Sequence, residues 1–152
     1  MKKLLLLSAL LISIVGFTQP QTLNGISFDA PNGYIKTDNL LWKKNNNILK
    51  VMALEKIPYS SLQPIVEQDT RYSKHYYTYD FKYNGKTYKI GVHNSNNGMV
   101  QAQLAVNKGD WCYIIMTVLE PESFTANNSD KVESVLEEVY FMMGYIVPRI
   151  NP

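Results

Sequence analysis

Between residues 77 and 92, apolar and polar positions alternate with period two on both sides of Asn84-Gly85. Strict alternation predicts half-buried strands, and Asn-Gly supplies the two left-handed residues of a tight hairpin turn. A two-residue turn fixes the register. Tyr83 then faces Lys86, Phe81 faces Tyr88, Tyr79 faces Ile90 and Tyr77 faces Val92, which gathers aromatic and aliphatic side chains on one side. The other side receives Lys82 opposite Thr87, Asp80 opposite Lys89, and Tyr76 opposite His93. That side reads as polar and wet.

The rest of the chain extends this pattern. Val100, Ala102, Leu104 and Val106 alternate with Gln101 and Gln103, predicting a half-buried strand over 99–106. Asn107-Lys108-Gly109-Asp110 turns it into 111–119, where the nearly unbroken apolar run predicts a central strand covered on both faces. Upstream, 26–28 reads as the first strand, closed by the turn Pro31-Asn32-Gly33. Segments 40–43 and 48–57 form a hairpin around Asn45-Asn46-Asn47. Ser60 with Gln63 resembles a capping box ahead of a helix running to Tyr72, with Pro64 tolerated in its first turn. Asp130 with Glu133 starts a closing helix that carries Val132, Val135, Leu136, Val139 and Met143 on one face, and Gly144 is read as its stop. The element order predicts an α+β domain: an antiparallel sheet of six or seven strands flanked by helices.

Several segments resemble one known group: Ile26-Ser27-Phe28 with Pro31-Asn32-Gly33-Tyr34, the aromatic hairpin, the strand through Tyr113, then Pro121 and Phe124 before an amphipathic helix. Over residues 24–143 this is similar to the PsbP-like α/β/α sandwich group. That group includes the photosystem II extrinsic protein, a Ran-binding nuclear import factor, and bacterial exported proteins such as DcrB and LpqN. The resemblance implies an accessory or binding module that docks on a larger partner. Two departures stand out. Tyr34 occupies a position where the group often has Trp, and nothing matches the His-and-carboxylate metal sites of the photosynthetic members.

The first eighteen residues bear on where such a module works. Met1-Lys2-Lys3 is a basic start and 4–17 an apolar run, too short for a membrane span of ~20 residues but suited to a signal-peptide core. Cleavage is expected near Thr18-Gln19, leaving one domain over 19–152 in a periplasm or outside the cell. No cysteine stands near the junction, so a lipid anchor is not expected, nor an integral membrane segment after cleavage. Loss of Lys2 and Lys3 takes the fifteen Lys and Arg down to thirteen, against thirteen Asp and Glu. A neutral domain has no charge stripe for phosphate backbones, which argues against nucleic acid as a partner. Cys112 is the single cysteine, which excludes an intrachain disulfide.

Candidate chemistry is sparse. Cys112 falls at the start of an apolar strand and reads as a small core residue. The sequence has no Gly-x-Ser-x-Gly elbow, His-Glu-x-x-His or Gly-rich phosphate loop. In the hairpin register His75 and His93 point to opposite sides, so they are not expected to share a metal. Glu120 and Glu122 flank Pro121 in what reads as a solvated turn. Catalytic residues, cofactor and metal are therefore all expected to be absent. The eleven tyrosines, six of them between Tyr72 and Tyr88, fit core filling and also recognition surfaces. The expected partner-binding surface is Tyr76, Asp80, Lys89 and His93. The expected role is an exported, non-enzymatic accessory protein binding an unidentified envelope or secreted protein. The rivals are a periplasmic inhibitor or immunity protein, and a small-ligand binder or enzyme.

Overall fold

A computed structural model describes residues 20–55, 73–95, 99–120 and 129–152. The expected signal segment 1–18, the expected helix over 60–72, and Pro121 and Phe124 lie outside the described residues.

Strands β1 (Gln21–Leu23) and β2 (Ile26–Phe28) form a small antiparallel ribbon. Its turn is Asn24-Gly25, with φ of 51° and 77°. This is the same Asn-Gly chemistry that makes the later hairpin, and it marks a strand ahead of the one expected first. A second sheet takes β3 (Ile35–Asp38), β4 (Leu41–Lys44), β5 (Asn47–Glu55), β6 (Ser73–Tyr83), β7 (Lys86–Ser95), β8 (Val100–Lys108) and β9 (Trp111–Leu119). Their order is β3-β4-β5-β9-β8-β7-β6, with every neighbouring pair antiparallel. The helix α1 (Ser129–Ile150) closes the chain. The architecture is thus a sheet-rich α+β fold.

Cross-strand registers put Leu49 and Val51 of β5 on one face with Tyr113, Ile115 and Leu119 of β9, and with Val100, Ala102 and Leu104 of β8. All are buried, and α1 lays Val139, Met142, Met143, Ile146, Val147 and Ile150 against them. Each of the Leu, Val, Ile and Met side chains among them contributes about 1.5–3 kcal/mol by leaving water. The opposite face is covered less. Ile114, Met116 and Val118 of β9 are half-buried there, so the strand expected to be covered on both faces is fully buried mainly on the α1 side.

Gly144 is not the helix stop expected of it. α1 continues to Ile150 with Pro148 in its last turn. The three buried side chains beyond Gly144 (Ile146, Val147 and Ile150), at about 1.5–3 kcal/mol each, outweigh the local cost of a glycine, about 1 kcal/mol, and that of Pro148, about 3 kcal/mol, whose ring nitrogen leaves the Gly144 carbonyl without its i→i−4 donor.

Candidate functional site

The β6–β7 ribbon adopts the expected register throughout its regular part, from Tyr76 opposite His93 to Tyr83 opposite Lys86. Asn84 and Gly85 hold the turn with φ of 46° and 71°. On the inner side Ile90 and Val92 are buried, while Tyr77, Tyr79, Phe81, Tyr83 and Tyr88 are partly buried against the core. Phe81 lies 6.2 Å from both Tyr88 and Tyr140 of α1, ring centre to ring centre.

The outer side divides into two environments. Near the turn, Asp80 and Lys89 form an exposed ion pair, a contact that contributes at most about 1 kcal/mol in water. Deeper in the sheet, His93 is buried, at 5% exposure, against the expectation of a wet face. His93 sits where β7 is paired on both sides, opposite Tyr76 on β6 and Gln101 on β8, whereas Lys89 lies beyond the end of the β7–β8 pairing. The Nε2 of His93 is 2.9 Å from Gln101 Oε1, and Gln101 Nε2 donates to Met116 Sδ at 3.2 Å. With the amide nitrogen turned to Met116, the carbonyl oxygen accepts from His93 Nε2–H. Of the four residues expected to share a surface, Asp80 and Lys89 meet on it and His93 belongs to an interior network. Tyr76 holds its backbone place in the ribbon, and its side chain lies outside the described part.

The sequence gives no hint of a split in the sheet beside Lys89. The β7–β8 ladder ends at Gly91 opposite Gln103, yet β7 runs back to Lys86 and β8 on to Lys108. A cleft of about 340 Å³ fills the space, lined by Lys86, Thr87, Tyr88 and Lys89 on one side and by Ala105 and Asn107 on the other. Asn151, just past α1, closes one end and donates to Tyr88 Oη at 3.4 Å. Each hairpin is locally regular, so no turn or periodicity marks the place where two regular hairpins part.

A second polar group ties the β2–β3 connection to α1. Tyr34, buried, donates to Glu138 Oε1 at 2.7 Å, and its hydroxyl is 3.2 Å from Met142 Sδ. Lys44 Nζ reaches the same carboxylate oxygen at 3.5 Å and stands 5.7 Å from the Tyr34 ring centre. Burial first, then the hydrogen bond and charge of Glu138, push the Tyr34 phenol above its ordinary pKa. At the position singled out for lacking Trp, the Tyr hydroxyl has a specific partner.

Cys112 is buried, and burial pushes its thiol pKa up, which disfavours the reactive thiolate. Among the described residues no three of His, Cys, Asp and Glu come together as metal ligands. No described helix is long and apolar enough to cross a membrane. No protein-family model matches the chain, and no curated protein is significantly similar to it.

Proposed function

We propose that this chain is an exported, non-enzymatic accessory protein of PsbP-like fold, acting in the bacterial envelope or outside the cell by docking on a protein or envelope component. The β6–β7 ribbon carries the reading. Its inner side is anchored by Ile90 and Val92 in the core, while its outer side presents Thr78, Asp80, Lys82 and Lys89 to solvent. A rigid support under an exposed row of donors, acceptors and charges suits recognition, because little side-chain and backbone order has to be bought on association. The basic start and short apolar run at the N-terminus support export.

The test is in-cell crosslinking of the tagged full chain, with capture from the envelope fraction compared between wild type and the Asp80→Lys/Lys89→Asp exchange. The exchange keeps an ion pair and inverts the field seen by a partner, so the melting temperature should stay within about 2 °C, as expected of a surface change. One dominant captured species, diminished in the exchange, is the expected result. Capture unaffected by the exchange would place docking elsewhere, and recovery of the chain in the cytoplasmic fraction alone would refute export.

A further inference from the structure

We infer that the cleft between β7 and β8 receives an extended acidic peptide strand, held by backbone pairing at its rim and by lysine ammonium groups. This rests on the docking reading and names the class of partner.

The two turns fix which backbone groups face the cleft. In a two-residue hairpin the residues flanking the turn exchange both backbone hydrogen bonds, and hydrogen-bonded pairs then recur every second residue. Tyr83 with Lys86 flank one turn and Lys108 with Trp111 the other. Residues 86, 88 and 90 of β7 therefore bond β6, and residues 104, 106 and 108 of β8 bond β9. The alternate residues, Thr87 and Lys89 on β7 and Ala105 and Asn107 on β8, aim N–H and C=O away from their hairpin partners. All four line the cleft. They sit beyond the last β7–β8 pair, Gly91 with Gln103. The rim of the cleft is thus two strand edges, the feature that strand-addition recognition exploits.

The outer margin of the sheet is managed differently. On β6 the same alternation turns the Asp80 carbonyl outward, and there Tyr140 of α1 donates to it at 3.3 Å. The sheet's own edge is partly capped by the helix, while among the described residues no strand pairs with the internal edges of the cleft.

Charge selects the occupant. Lys86 and Lys89 line the cleft, and exposed Lys82 and Lys108 stand beside it. Among the described residues the acids beside it are Asp80, engaged by Lys89, and Asp110 in the β8–β9 turn. In a chain whose charges otherwise balance, this concentration of ammonium groups at a strand edge complements carboxylates spaced along an extended peptide.

The probe is a ten-residue peptide of alternating Glu and Val, titrated into the full chain at low salt and followed through backbone amide resonances. The expected result is that the amides of Thr87, Lys89, Ala105 and Asn107 shift together, while those of the distant strands β3 and β4 do not. Three controls bear on mechanism. A Lys-Val peptide should not bind. The same Glu-Val peptide N-methylated at alternate residues, a change that leaves the protein untouched, should lose binding if backbone pairing holds it. Lys86→Glu with Lys89→Glu should weaken the Glu-Val peptide about five- to tenfold. Equal binding of the N-methylated peptide, shifts confined to lysine side chains, or self-association through the cleft without peptide would each overturn the inference. Partner capture that is sensitive to the Asp80/Lys89 exchange, with no peptide response at the cleft, would leave the docking function standing and remove only this site.

Discussion

At the residue scale, the least expected backbone is Leu40, a bulky residue with φ of 52°. A left-handed conformation costs an L-residue about 1–2 kcal/mol. Here the side chain is buried, the carbonyl accepts from Val51 N–H at 3.0 Å, and the N–H donates to the carboxamide of Gln21. Gln21 is itself buried and also lies 3.3 Å from Asn39 Oδ1. Gln21→Ala should strand the Leu40 amide and cost about 1–3 kcal/mol in urea unfolding; a cost below a few tenths would mean that this contact does not hold the turn. The Tyr34 phenol makes a pH prediction. Its folded pKa is raised, so its contribution is full while both states keep the proton. Above about pH 10, the ordinary value, the unfolded chain releases that proton while the folded chain holds it, and stability declines. Tyr34→Phe should lower stability at neutral pH by about 1–2 kcal/mol through the lost Glu138 bond. It should also make the alkaline decline shallower, as measured by melts between pH 8 and 11. Neither residue announces these roles in sequence, because a glutamine or tyrosine acquires its partner only when segments 19 and 104 positions apart meet.

At the element scale, the hairpins were legible and the helix end was not. The β6–β7 register follows from Asn84-Gly85 and the period of two, both local properties. The ribbon of β1 and β2 carries the same signal at Asn24-Gly25, and three-residue strands are simply too short for periodicity to show. At the end of α1 the local cue points the wrong way, since glycine favours a stop and tertiary burial overrules it. Ending the chain after Gly144 would remove Ile146, Val147 and Ile150, worth about 5–9 kcal/mol at 1.5–3 kcal/mol for each buried side chain. That is comparable with the whole stability of a domain, so the truncated chain should show no cooperative melt by circular dichroism. A cooperative transition near that of the full chain would show that the last turn is dispensable.

At the scale of the whole molecule, the sheet is assembled from hairpins joined across long sequence distances, with β9 locked between β5 and β8. Its amides should be the slowest to exchange with solvent deuterium, opening only with global unfolding, and those of the margin strand β3 the fastest. Exchange at Ile115 as fast as at Lys36 would contradict a single cooperative sheet. Local pattern was enough for the α+β class, most strand positions and the hairpin register, because periodicity, turn dipeptides and apolar runs act within a few residues. It also placed Asp80 beside Lys89 correctly, since both belong to one hairpin. Long-range assembly is what makes His93 interior, binds Tyr34 to Glu138, and parts β7 from β8 below Gly91. Burial, long-range hydrogen bonds and the lateral docking of one hairpin on another depend on which distant segments share a layer, and no short-range pattern encodes that choice.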